Sequence, residues 1–413
     1  VTHADDSDPP PDDVLIVGAG LAGGALALRL ARRGLRVRLL DAARFPRPKL
    51  CGEFLSPEGA AALGRLGPEL ERLLLDSEPI RVARLTTPGG RALEARVIDA
   101  DGRPGAGLSR EVMDQAIVET AVAAGVAFGD DTRVSGPILD ADGRVVGVSA
   151  RRGRDPSPRV FPARLVVAAD GRGSPLVKGT GRTRVRSRFR PALFGLKRHL
   201  LLSDSDPDAA EPPGTVSLHL VRGGYIGACR IDGGRTNLCG LLPDRLAARY
   251  RGDLDALAAA EFPRNPTLGR LWAGATADGP WKTVANVRVE HHEPTVPGIL
   301  YAGDARGTVD PLGGQGMTMA LLGAELIEPF VVESLASGAE GATPAVQRAY
   351  ARAWERRFAG RIRLCRLFHH LLIRPAVIDL ATRLPALGPD LLSAAFRWTR
   401  DPEGDRVAPG VVG

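Results

Sequence analysis

The chain has 413 residues, 44% of them hydrophobic, and a formal net charge of +7. That length asks for two lobes, or one lobe with appendages. Only four of the 55 basic residues are lysines, and the arginines are interspersed with acids, so no nucleic-acid surface is expected.

Residues 1–12 are acidic and proline-rich, which predicts a disordered tail and not a signal peptide. The apolar run that follows is broken by glycines and bounded by Asp12, Asp13 and Arg29, so no integral membrane segment is expected. Within it, Val14 to Val17 reads as a buried strand, Gly18, Gly20 and Gly23 form a GxGxxG turn, and Ala25 to Arg33 has helical spacing up to Gly34. A second strand, Arg36 to Leu40, ends in Asp41. Glycines let the backbone approach a pyrophosphate, a helix N-terminus offers free N–H groups, and an acid about 20 residues on can take ribose hydroxyls. The order therefore predicts a dinucleotide site.

A loop, RPKLCGEFLSPEG, covers residues 47–59 and carries Arg47 and Cys51. Residues 79–107 and 191–281 read as strands joined by Gly, Pro and Asp turns, among them Val82–Thr87, Phe194–Leu201, Val216–Val221 and Tyr225–Ile231. Their alternating polarity suits a sheet with one face toward a ligand. Between them, 111–124 repeats apolar residues at helical spacing, VVAADGRGS ends a strand at Asp170-Gly171, and Pro-rich 155–162 and 207–213 read as surface loops. Ile299 to Ala302 is a further strand ending in Gly303-Asp304, which puts Asp304 at a carboxyl edge suited to binding a ligand's hydroxyls, and Gly316 opens a helix. After residue 336 the chain turns helical, with Tyr350, Trp354 and Phe358 at four-residue steps and a stripe through Leu364, Leu367, Phe368, Leu371 and Leu372. The four cysteines show no CxxC spacing, so neither a disulfide framework nor a metal site is expected, and a reducing cytoplasm fits.

GAGLAGG, GLSREVMDQAIVETAVAAGVAF, VVAADGRGS and YAGDARGTVDPLGGQG, in that order, resemble the FAD-dependent monooxygenase superfamily. This group, with the para-hydroxybenzoate hydroxylase-like fold, includes geranylgeranyl reductases and flavin-dependent halogenases. The resemblance implies an α/β fold: a discontinuous Rossmann-type FAD-binding domain (13–78, 108–190, 282–335), an inserted β-sheet substrate domain (79–107, 191–281) and a C-terminal helical region (336–413). It implies FAD held by Gly18, Gly20, Gly23, Asp41, Arg47, Arg110, Asp170, Gly303 and Asp304. Pro311, Gly314, Gln315 and Gly316 would border its ring, with NADH or NADPH as electron donor.

The 47–59 loop is similar to the CGG-x-LSP segment of the reductases and to the GE-S-x-x-P segment of the halogenases. The halogenase Gly-Trp-x-Trp-x-Ile-Pro motif has no counterpart, the nearest stretch being Gly224 to Arg230, and no lysine lies between Lys49 and Lys178. The reading favoured on this basis is an NAD(P)H-using monooxygenase acting on an aromatic or polyketide-like small molecule of secondary metabolism, such as antibiotic biosynthesis. A double-bond reductase, a halogenase and a non-enzymatic binding protein like the GDP-dissociation inhibitors are the alternatives. Tyr225, His199, His219 and Cys51 are the catalytic candidates. The partner implied is a small molecule, and the pattern specifies no oligomeric state.

Overall fold

The computed structural model describes residues 11–183, 193–202, 211–285, 287–336 and 341–372. Residues 1–10 of the tail expected over 1–12, 207–210 of the loop expected over 207–213, and the helical region beyond 372 lie outside them; Asp12, expected in the tail, instead opens a strand by pairing with the strand at Ala163.

The cofactor half is built on one sheet. Its strands run in the order Ala127–Gly129, Val37–Leu40, Asp12–Val17, Arg159–Ala168, Val145–Arg152 and Thr132–Leu139, and Ile299–Tyr301 also pairs with Arg159–Ala168. Val14 lies opposite both Val37 and Leu165, and Val166 opposite Ile299, all in parallel register. The stretches Val14–Val17, Leu165–Ala168 and Ile299–Tyr301 are apolar without interruption because both faces are covered: Val14, Leu15, Ile16, Leu165, Val166 and Val167 have no exposed surface. The parallel arrangement brings four strand ends to one edge, and with them Gly18, Asp41, Asp170 and Asp304. Residues far apart in the chain thus become neighbours. The helix Leu21–Ala31 packs between Arg110–Ala123 and Gly316–Ala336.

The second sheet has the order Ala275–Val284, Leu193–Leu202, Arg235–Pro243, Gly224–Arg230, Thr215–Val221, Val82–Thr86 and Ala92–Arg96. Short helices Asp244–Arg249, Leu254–Glu261 and Pro266–Ala273 cover one face, where Leu196, Ile226, Leu238, Phe262 and Leu268 form a core. The other face turns toward the cofactor half. This sheet continues past residue 281 to Val284, while Glu78–Ile80 and Gly105–Gly107 instead pair in a small sheet with Phe54–Leu55. The loop expected over 155–162 ends earlier: Val160 and Phe161 are good strand formers and extend the strand Arg159–Ala168 against Val145–Arg152.

The helix Pro344–Leu372 closes the cofactor half. Tyr350, Trp354 and Phe358 are buried, the Tyr350 hydroxyl donates to Tyr301 O at 2.9 Å, and Arg306 sits over the Trp354 ring at 4.5 Å. Among the described residues no helix is long and apolar enough to cross a membrane.

Candidate active site

The glycines of the first turn have different tasks. A Cβ on Gly18, whose φ is +103°, would lie 2.4 Å from Ala169 O, and one on Gly23 would lie 1.9 Å from Gly18 O, so both allow close backbone packing. Gly20 is open instead. A Cβ there would stand 3.5 Å from Arg110 Nη2 and 3.7 Å from Arg47 Nη2. Gly20 also caps the helix Leu21–Ala31, which has no acid in its first turn and no side-chain cap. Two guanidiniums and a helix N-terminus thus converge on an open glycine, a cradle that fits a diphosphate.

Asp114 aligns the arginines. It accepts from Arg110 Nε and Nη2 at 2.8 and 2.7 Å and pairs with Arg47 Nη1 at 3.1 Å. Asp41 accepts from the Ala19 and Ala43 N–H groups at 2.8 and 2.9 Å and pairs with Arg47 Nη2 at 3.4 Å.

A polar cavity of about 420 Å³ opens beside this cradle, walled by Gly18, Asp41, Arg47, Arg133, Asp170 and Ser174. Both Asp170 carboxylate oxygens are buried without a hydrogen-bond partner. Burial pushes this carboxyl up to about 6, against the opposing pull of the nearby Ser174 hydroxyl and Lys49 charge. An acceptor left in this state suits a hydroxyl-bearing ligand such as a ribose or ribityl chain. Asp304 lies 4.0 Å from Arg172 Nε.

Gly20, Lys49, Ala169 and Arg172 border both this cavity and a second one of about 230 Å³. Gly303, Asp304, Pro311, Gly313, Gly314 and Gly316 line the second cavity, with Phe54 and Met317 beside them. Gly314 has φ +62° and lets the loop turn into the helix Gly316–Ala336. Gln315 is buried and does not line the cavity; its Oε1 accepts from Arg361 at 3.3 Å. Taken together, the two cavities suit a dinucleotide with its ring at the loop, and these residues would hold FAD.

The substrate sheet forms the opposite wall through Ala83, Val216, Leu218, Tyr225, Leu241 and Val284. Strand alternation decides where each catalytic candidate goes. Tyr225 lines the cavity, and burial, reinforced by the Asp310 charge, pushes its phenol well above the ordinary value. Cys51 lines it too, and its carbonyl accepts from Asn237 Nδ2 at 3.0 Å. His199 is on the same sheet face but not on the cavity wall; its Nε2 pairs with Glu53 Oε2 at 2.7 Å. His219 corrects the sequence expectation: it points to the far face under the helices, fully buried, with Nδ1 2.8 Å from Thr86 Oγ1.

Sequence reasoning missed Lys49, Glu53 and Lys197. The available signal was a lone lysine within LFGLKRHLLL, in a chain with only four lysines.

A family model described as an FAD binding domain matches residues 12–194. Menaquinone reductase from Mycobacterium tuberculosis is 30% identical over 342 residues, covering 76% of this chain and 76% of that protein. Digeranylgeranylglycerophospholipid reductase 1 from Methanococcoides burtonii is 25% identical over 355 residues, covering 85% and 81%. Among solved structures, a flavin-dependent brominase aligns with a TM-score of 0.76 at 19% identity, covering 94% of this chain and 93% of that one. A geranylgeranyl bacteriochlorophyll reductase-like protein from Thermoplasma acidophilum aligns at 0.72 and 19%, covering 94% and 95%. Fold and site thus define an FAD-dependent oxidoreductase. Within that superfamily, the chain belongs to the family it shares with menaquinone reductase.

Proposed function

We propose that the protein reduces a carbon–carbon double bond in an apolar, isoprenoid-like substrate. One observation carries this reading: the sheet wall of the cavity is apolar, and its titratable groups are held protonated. Tyr225, Cys229 and Cys239 line it, and burial pushes all three up. Neutral groups of this kind do not serve as bases, while a phenol can still release its proton to a strongly basic carbon. Oxygenation of a phenol, the reading favoured from sequence, calls for a base that ionises the ring hydroxyl. Both histidines expected for that task are off the wall. The relatives named digeranylgeranylglycerophospholipid reductase and menaquinone reductase support the same choice.

Bound FAD supplies the hydride after reduction by NADH, NADPH or another electron donor. The protein's part is to align the alkene along Val216, Leu218, Leu241 and Val284, exclude water, and deliver a proton to the second carbon. Tyr225 is the proposed proton donor. Turnover of a prenylated probe in deuterated water, and separately under labelled dioxygen, tests the reading. At least one solvent deuterium on the saturated product and no labelled oxygen is expected; labelled oxygen in the product would overturn it.

A further inference from the structure

Glu53 is fully buried at φ +54°, a conformation strained for any residue with a Cβ, and one that persists where surrounding contacts hold it. Its carboxylate supplies those contacts. Lys197 Nζ donates to Oε1 at 2.5 Å, the Arg110 N–H donates to the same oxygen at 2.9 Å, and His199 Nε2 pairs with Oε2 at 2.7 Å. Burial alone would raise this carboxyl, but the His199 hydrogen bond and the Lys197 charge hold it below its ordinary range. Lys197, 1% exposed, also donates to Lys49 O at 3.0 Å, and Asn237 on the adjoining strand donates to Cys51 O.

The gripped partners thus lie on one stretch, 49–53, which has no helix or strand of its own before Phe54. Without regular structure, its course depends on outside ties. Two strands of the substrate sheet provide them, and the stretch places Lys49 and Cys51 on the cavity wall.

We propose that Glu53, Lys197 and His199 are positioning residues, a buried charge clamp that locks segment 49–53 to the substrate sheet and fixes Cys51 and Lys49 against the cavity. A buried ion pair gives little net stability over apolar packing, whereas a fully satisfied polar network specifies one arrangement. The clamp rests on the flavin site described above and is independent of the substrate class.

The test is iodoacetamide alkylation of the FAD-loaded protein, followed at each cysteine by peptide mass spectrometry. Cys51 reports on the segment; Cys365, 1% exposed on the inner side of the C-terminal helix Pro344–Leu372, reports on general loosening. In Glu53→Gly and Lys197→Met, FAD stays bound and Cys51 reacts at least about tenfold faster, while Cys365 keeps its wild-type rate. Glu53→Gln, which retains an acceptor for Lys197, falls between. Unchanged Cys51 rates, or Cys51 and Cys365 rising in step, would overturn the clamp. So would loss of FAD from all three variants, since the triad would then serve the cofactor's hold.

Discussion

Gly20 is where a single added carbon has the largest consequence for the cofactor, because both guanidiniums face its open side. Gly20→Val fills the diphosphate's space without crowding the backbone, so the variant should purify folded but colourless; stoichiometric FAD in it would contradict the cradle. Asp170 carries a pH signature. Its folded carboxyl titrates near 6, above the ordinary carboxylate value, so the folded FAD-free protein holds a proton that the unfolded chain has released. Stability is therefore lost as pH rises from about 4 to 6. Asp170→Asn removes that loss and should stabilise the FAD-free protein at pH 7 by up to about 3 kcal/mol, with little effect below pH 4. It should also weaken FAD binding. Urea denaturation at the two pH values and an FAD titration check both outcomes. Gly18, Gly20 and Asp41 were legible in the sequence because close backbone packing, open space for the ligand and a carboxylate at a strand end each restrict the residue type. The depth of Asp170 and the strain at Glu53 were not, since both depend on what the fold packs around them.

Secondary-structure elements add two tests. The helix Gly316–Ala336 begins at the cavity loop that would border the flavin ring, and its free N–H groups favour negative charge there. A Cβ on Gly316 meets nothing within 4 Å, so Gly316→Asp fits and places a carboxylate against that charge. The flavin's two-electron potential should fall by roughly 10–40 mV, read by dye-coupled redox titration. On the C-terminal helix, Trp354 is 3% exposed between Arg306, His291 and Phe358. Trp354→Ala should cost about 3–5 kcal/mol in chemical denaturation. Four-residue spacing made Trp354 legible as core. The helices between 244 and 273 went unread because each has at most eight residues, too few turns for periodicity to emerge. His219 was misplaced for a related reason: alternation sorts a strand's residues into two faces without saying which one meets the ligand.

At the scale of the whole molecule, the cofactor half follows from parallel pairing of strands that carry Gly18, Asp41, Asp170 and Asp304 on their ends. Each end has its own local motif, so the sequence revealed the fold and the cofactor. The chemistry lay hidden longer because the cavity wall combines Ala83, Val216, Tyr225, Leu241 and Val284, which share no local pattern. Only their assembly shows the apolar surface. Double-bond reduction and oxygenation differ most sharply in their need for oxygen. The FAD-loaded protein, reduced and mixed anaerobically with a geranylgeranyl lipid, puts this difference to a direct test. The oxidised flavin's visible absorption should return without oxygen, with a product heavier by two hydrogen atoms. A flavin that stays reduced until oxygen is admitted, and a product that then carries an oxygen atom, would contradict the proposed reduction.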